Sequence, residues 1–191
     1  MILHCIRHGV TLGNVENRFN GHTEDSITPE QAEALARLTF ASSDYDAIYC
    51  SPKKRCVETA TGLKIANWRE EPRIVERHFG LFEGLNFLEA REKYPDHWTS
   101  FVALDADYSA GDGESRGAHL ARLMHWLEEI AAEHQNVLAI THGGTLDFLY
   151  RMGSGAPIHG GGRMHAGENA ALSIFEVTWP DVTLVEFSRK L

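Results

Sequence analysis

Met1-Ile2-Leu3-His4-Cys5-Ile6-Arg7-His8-Gly9 opens the chain, and the fold turns on how this stretch is read. Residues 1–6 form a short, nearly continuous apolar run, which suits a strand covered on both faces. The run then stops at an arginine, a histidine and a glycine. Two further runs share this design. Residues 46–50 (Asp-Ala-Ile-Tyr-Cys) lead into Ser51-Pro52-Lys53-Lys54-Arg55, and residues 137–141 (Val-Leu-Ala-Ile-Thr) lead into His142-Gly143-Gly144. Residues 171–177 and 182–187 read as two more strands, with Trp179-Pro180-Asp181 as the turn of a hairpin.

Helical signals fall between the strands. Thr28-Pro29-Glu30-Gln31 combines an N-cap, a proline at the first helical position and a glutamine three residues after the cap. That helix is expected to reach about residue 40. Ser51-Pro52 reads as a second cap, opening a helix to about residue 63. Residues 115–134 carry Leu120, Leu123, Met124, Leu127, Ile130 and Ala131 on one stripe. Gly143-Gly144-Thr145 starts a helix to about residue 152. The alternation predicts an α/β three-layer sandwich, with a mostly parallel central sheet and helices on both faces. Residues 1–191 read as one domain, and residues 78–114, with a Gly/Asp-rich turn at Ala110-Gly111-Asp112-Gly113, as an inserted flap.

Composition narrows the function. The 191 residues are 43% hydrophobic and 24% charged, which excludes disorder, collagen and coiled coil. A chain this long buries roughly 70% of its unfolded surface. Lys and Arg total 18 against 27 Asp and Glu, a net charge of −9. That argues against nucleic acid as a partner, because a phosphate backbone demands a basic face. No run nears the roughly 18 uncharged apolar residues of a membrane span. No signal peptide is seen at the start, and three cysteines, with Cys5 and Cys50 inside apolar runs, suit a reducing compartment. The expected location is therefore cytoplasmic.

In open α/β sheets, ligands bind at the carboxyl ends of the strands. The three strong strands would then bring Arg7, His8, Arg55 and His142 together. Helix N-termini after Ser51 and Gly144 add positive dipole ends. An acidic protein thus acquires an anion-seeking spot, and phosphate suits it because guanidinium forks match phosphate oxygens. A neutral imidazole is a competent nucleophile at phosphorus, and neighbouring arginines would keep it neutral.

Arg7-His8-Gly9, Ser51-Pro52-x-x-Arg55, Glu76-Arg77-His78-Phe79-Gly80 and His142-Gly143, in that order, resemble the histidine phosphatase superfamily, which includes the cofactor-dependent phosphoglycerate mutases. Asn14-x-x-Asn17-Arg18-Phe19-x-Gly21 and Gly113-Glu114-Ser115 are similar to it as well, so the likeness covers essentially the whole chain. The resemblance implies that His8 is the nucleophile that becomes phosphohistidine. It implies that Arg7, Arg55 and His142 hold the phosphoryl oxygens, that Asn14 adds a hydrogen bond, and that Asn20 and Gly21 belong to the phosphate-binding set. Glu76 would give the leaving oxygen its proton and later act as base for water, with Glu83 as the competing acid. No metal and no cofactor are called for, since arginines and histidines supply the positive charge. Val10, Asn20, Cys56, Glu58 and an early Gln31 depart from the family pattern. Val10 and Asn20 leave the outer pocket open.

Several residues read blandly. Lys53 and Lys54 are expected as a solvated helix start, Asn169 as a turn residue ahead of the alternative that it points back to the site, and Gly160-Gly161-Gly162 as a plain loop. Asp147, Trp68, Trp98 and Trp126 are read as structural. The leading function is a metal-independent phosphatase acting on a small phosphorylated metabolite through a phosphohistidine. A 2,3-bisphosphoglycerate-dependent phosphoglycerate mutase is the alternative, and a non-catalytic phosphate-binding protein the third. Residues 84–114 carry seven carboxylates against Arg91 and Lys93. That is a poor grip for a second phosphate, though Arg116 or Arg163 could supply a cation. A homodimer is left open.

Overall fold

The computed structural model describes residues 1–159 and 164–191. In chain order the elements are β1 (Ile2–Arg7), α1 (Leu12–Val15), α2 (Pro29–Ala36), β2 (Ala47–Cys50), α3 (Lys54–Gly62) and β3 (Arg69–Glu70). There follow α4 (Phe87–Lys93), α5 (Pro95–Val102), α6 (Arg116–Glu133), β4 (Asn136–Thr141), α7 (Gly143–Ser154), β5 (Ala171–Thr178) and β6 (Asp181–Lys190). Short 3₁₀ turns occupy Pro72–Ile74 and Gly80–Phe82.

The six strands form one sheet in the order β3-β2-β4-β1-β5-β6. The first four run parallel, and β5 and β6 add an antiparallel hairpin. Strand alternation divides the core in two. Leu3, Cys5, Tyr49, Val137 and Ala139 face α6 and α7, against Leu123, Trp126, Leu127, Phe148 and Leu149. Ile6, Ile48, Cys50, Leu138 and Ile140 face α2 and α3, against Leu35, Cys56 and Ala60. Helices thus cover both faces, as the apolar runs predict. Trp126 is fully buried, and truncating it would cost about 3–5 kcal/mol.

The local signals hold unevenly. Ser115 caps α6 through a 3.1 Å bond from the Ala118 amide, and Thr28 caps α2 from Gln31. But α2 ends at Ala36, short of residue 40, and Ser51 stands two residues before the cap position of α3, its hydroxyl accepting from the Lys53 amide at 3.4 Å. Lys53 holds the cap position of α3 with no side-chain bond. A two-residue β3 and the single-turn α1 are too short to leave a periodic signal. Residues 78–114 contain α4 and α5 above a small aromatic core shared with Phe19, in which Phe82 and Phe101 meet edge to face and Trp98 stacks on Phe101.

Candidate active site

Sheet register assembles the site. Arg7 pairs with Thr141 at the end of the β1–β4 ladder. One residue further on, the His8 amide donates to Thr141 O at 2.9 Å, and the Ser51 amide reaches Ile140 O at 3.0 Å. His8, Ser51 and His142 therefore emerge side by side where three parallel strands stop. The rings of His8 and His142 lie 5.2 Å apart.

His8 is buried, and its Nδ1 sits 2.8 Å from Gly9 O. A carbonyl only accepts, so Nδ1 carries the proton and Nε2 keeps its lone pair. Burial pushes the His8 pKa well below the ordinary imidazole value, and the Arg55 and Arg7 charges push the same way. The ring is thus neutral, oriented and basic at the far nitrogen. Two side chains hold the backbone beneath it. Thr59 accepts from the Gly9 amide at 2.8 Å, and Asn169 Nδ2 donates to His8 O at 2.9 Å. Asn169, expected as a turn residue, also donates to Asn14 Oδ1 at 3.1 Å and so ties Asn14 to the His8 backbone.

Arg7 donates to Gly167 O at 2.6 Å through Nη1, but its Nε is buried with no hydrogen-bond partner. An unmet buried donor costs about 1–3 kcal/mol, so such a group asks for an explanation, and an anion placed against it is one. Asn14 accepts from the Thr11 amide and hydroxyl and from Asn169, all through Oδ1. Its amide nitrogen carries no bond among the described residues.

The sequence reading gives Arg55 and His142 to phosphoryl oxygens, and in this structure both side chains are bonded within the protein. Arg55 is fully buried, and every nitrogen donates inside the protein. Its Nε donates to His142 Nδ1 at 3.2 Å. Nη1 and Nη2 donate to Asn20 Oδ1, Thr23 O, Asn20 O and Gly21 O at 2.8–3.4 Å. A guanidinium cannot accept, so His142 Nδ1 is the acceptor and Nε2 carries the proton, donating to Ser51 Oγ at 2.8 Å. Asn20 and Gly21 likewise brace Arg55 rather than present free donors. The Asn20 amide nitrogen goes to Asp25 at 2.8 Å, and the Gly21 amide goes to Glu83 at 3.2 Å. Nor is the start of α3 open to an anion, because the Lys54 amide donates to Glu24 at 3.2 Å. Lys53, expected in solvent, instead donates to His22 O at 2.7 Å and Glu24 at 2.9 Å.

Glu76 is buried beside this cluster. One carboxylate oxygen accepts from the Arg77 amide at 2.9 Å and the other from the Gly144 amide at 2.8 Å. Residue 144 must be glycine, because a Cβ there would stand 2.1 Å from Glu76 Oε1. Glu83 is differently placed. It accepts from the amides of Phe79, Gly21, His22 and Thr23 and from the Thr23 hydroxyl. Burial raises its pKa, but these hydrogen bonds outweigh burial and hold it below the usual glutamate value. It is a loop staple held ionised, whereas each oxygen of Glu76 has a single partner.

Glu76 also lines a small cavity of about 40 Å³, with Arg77, Phe79, Phe101, Arg116 and His119 among its walls. Arg116, a candidate cation for a second phosphate, is committed elsewhere. It donates to buried Asp147 at 2.6 Å and to Ile158 O. Asp147 also accepts from Arg151 and from the His165 amide. Arg163 and the glycine run 160–162 lie outside the described residues.

A superfamily model then matches residues 3–189, and the chain belongs to the histidine phosphatase superfamily, branch 1. A metal-independent phosphoserine phosphatase of Arabidopsis thaliana is 34% identical over 157 residues, 76% of this chain and 65% of that protein. The match thus spans just under two thirds of the Arabidopsis protein's length. Phosphoserine phosphatase 1 of Hydrogenobacter thermophilus is 30% identical over 145 residues, 72% of this chain and 68% of that one. The crystal structure of the alpha-ribazole phosphatase from Shigella flexneri shares the fold, with a TM-score of 0.80 at 23% identity, covering 98% of this chain and 96% of that one. Among the described residues, no helix is long and apolar enough to cross a membrane.

Proposed function

We propose that the protein is a metal-independent phosphoric monoester hydrolase that cleaves a small phosphorylated metabolite through a phosphohistidine at His8. One observation carries the reading: a neutral, buried imidazole with its lone pair on Nε2 stands beside a buried arginine nitrogen that lacks a partner. Nucleophile and anion anchor sit at adjacent residues.

In the first step the His8 Nε2 lone pair attacks phosphorus and the ester P–O bond breaks. The released electron pair goes to the leaving oxygen, which takes the Glu76 proton and departs as an alcohol. In the second, Glu76 takes a proton from water as the water oxygen attacks phosphorus. The P–N bond breaks, its electrons return to His8, and inorganic phosphate leaves. Arg7 and Asn14 hold equatorial oxygens, and the Arg55 charge lies against them. His142, wedged between Arg55 and Ser51, fixes where that charge sits. Catalysis of this kind is positioning plus electrostatic stabilisation, with little covalent work for the protein beyond the nucleophile.

Hydrolysis is favoured over mutase chemistry by the engagement of Arg116 with Asp147 and Ile158 O, which takes up two of its three nitrogens and leaves fewer free donors among the described residues for a second phosphate dianion. The test is rapid-quench labelling with a ³²P-phosphomonoester. Wild type should accumulate acid-labile, base-stable label, and His8→Ala should carry none while keeping the wild-type circular dichroism spectrum. Label that persists in His8→Ala would move the nucleophile elsewhere.

A further inference from the structure

Two histidines outside the reacting cluster meet beside the site. The His22 and His78 rings lie 4.8 Å apart, centre to centre, and tilt by 39°. They come from different segments. His22 stands on the loop whose carbonyls at Asn20, Gly21 and Thr23 receive Arg55, and His78 stands two residues after Glu76. The backbones leading to them touch. A Cβ at Gly21 would stand 2.1 Å from Arg77 O, so only glycine lets the loop come this close.

Both rings have a lone pair to offer. His78 Nδ1 lies 3.3 Å from Asp112 O, and a carbonyl only accepts, so Nδ1 carries the proton and Nε2 keeps its lone pair. Histidines that ligate metals are held in this way, the second ring nitrogen donating to a carbonyl or carboxylate. His22 is exposed, and among the described residues its ring makes no hydrogen bond. Its backbone is pinned on both sides. The amide donates to Glu83 at 2.9 Å, and the carbonyl accepts from Lys53 at 2.7 Å. On the other segment the Glu114 amide donates to His78 O at 2.8 Å. Two imidazoles are thus carried side by side on anchored backbone.

Their spacing suits one shared ion. Zinc–nitrogen bonds of about 2.0–2.1 Å at a tetrahedral angle put the centres of two ligating rings roughly 5 Å apart. The charges of Glu83 and Glu114 favour a cation at His22, and those of Lys53 and His78 oppose it. Among the described residues no third His, Cys, Asp or Glu joins the pair, so water completes the shell. Imidazole nitrogen selects zinc, copper or nickel, whereas magnesium and calcium want oxygen.

We propose that His22 and His78 together bind one imidazole-seeking divalent cation of the Zn²⁺ or Cu²⁺ kind. The ion staples the loop that receives Arg55 to the segment that carries Glu76, and it stands outside the hydrolysis itself.

The test titrates chelator-treated full-length protein with Zn²⁺, read by calorimetry and by melting temperature. Wild type should take up one tight equivalent per chain and melt higher with it, because an ion that binds only the folded state stabilises that state. His22→Gln and His78→Gln should each weaken this equivalent by about tenfold or more and remove most of the rise in melting temperature. The double variant should bind no worse than the weaker single one, since one missing ligand already breaks the chelate. With one equivalent of Cu²⁺, electron paramagnetic resonance should show two nitrogen ligands in wild type and one in each single variant. A wild type without a tight Zn²⁺ equivalent, or one whose affinity neither substitution changes, would overturn the proposal. So would a Zn²⁺ equivalent that disappears in His8→Ala and persists in His22→Gln, because the ligand would then be the nucleophilic imidazole. None of these outcomes alters the phosphatase reading.

Discussion

The two sides of the pocket are built on opposite plans. At the strand ends, hydrogen bonds join Ser51, His142, Arg55 and Asn20 in a chain, Glu83 holds the Gly21 amide of the same loop, and among the described residues the buried Arg7 Nε and the Asn14 amide nitrogen are left over. Across the cavity, the Arg77 guanidinium lies over the Phe79 and Phe101 rings, and Leu104 and Phe148 line the same space with Arg116 and His119. The difference matches the two tasks. A phosphoryl group has the same shape in every ester, so its side is fixed in advance, and preorganised dipoles and charges do most at a transition state when they need not move. The alcohol varies from substrate to substrate. Its side therefore mixes apolar rings with a few polar groups, features that sort substrates by size and polarity.

Glu76 joins the two sides, and removing its proton should have the largest effect. One oxygen is anchored on Gly144 at the strand-end side and the other on Arg77 at the cavity side. Glu76→Gln should lower kcat/KM for alkyl phosphates by about 10²- to 10⁴-fold, and for p-nitrophenyl phosphate far less, because that leaving group departs without a proton. Glu83→Gln should instead affect both substrates alike and lower the melting temperature, since Glu83 holds four donors of the 20–23 loop and the Phe79 amide. A leaving-group dependence that follows Glu83 would exchange the two roles and dissolve the contrast between the two sides.

Parts of this arrangement are legible in the sequence, and the limits have physical causes. The strand ends can be read because apolar runs that stop at Arg-His-Gly and His-Gly-Gly register both burial and its interruption. Ser51 is misread because Ser-Pro is the local signature of a helix cap. Its hydroxyl reaches the Lys53 amide only at 3.4 Å and meets His142, 91 positions along the chain, at 2.8 Å, and no local pattern reports that second bond. Asn169 hides for the same reason, its partners being His8 and Asn14. Glu76 and Glu83 look alike as sequence and differ only in how many amides converge on them.

An intermediate effect should appear in stability against pH. Burial lowers the pKa values of His8, His119 and His142 well below the free imidazole value, and Arg55, Arg7, Arg122 and Arg77 reinforce it. Each ring is neutral when folded and takes up a proton when unfolded below about pH 6.5. The unfolded state then binds more protons, so stability rises with pH across this window and is lost as pH falls below about 6.5. The melting temperature should drop by roughly 5 °C or more between pH 7.5 and pH 5.5. His8 and His142 belong to the strand-end side and His119 to the cavity, so His119→Asn should remove only part of the slope. A flat profile would mean that the strand-end cluster tolerates a charged imidazole, and its hydrogen bonding would lose its significance.

The smallest expected effect separates two adjacent lysines that look equivalent in sequence. Lys53 is 15% exposed in its side chain and clasps His22 O and Glu24, whereas Lys54 is 58% exposed and approaches Glu58 only at 3.8 Å. The loop that Lys53 holds is the loop whose carbonyls at Asn20, Gly21 and Thr23 receive Arg55. Lys53→Met keeps the aliphatic stem and deletes the charge, so the loop loses one tether while Arg55 keeps its own bonds. The cost should be about 1 kcal/mol of stability, with a few-fold fall in kcat as the Arg55 charge loses definition. Lys54→Ala should stay within about 0.5 kcal/mol, because an exposed pair four residues apart contributes little. Thermal melts and kinetics of the two variants side by side read the difference. If Lys53→Met were as silent as Lys54→Ala, the 20–24 loop would be held by Glu83 and Arg55 without the lysine, and the strand-end side would be less tightly braced than its hydrogen bonds imply.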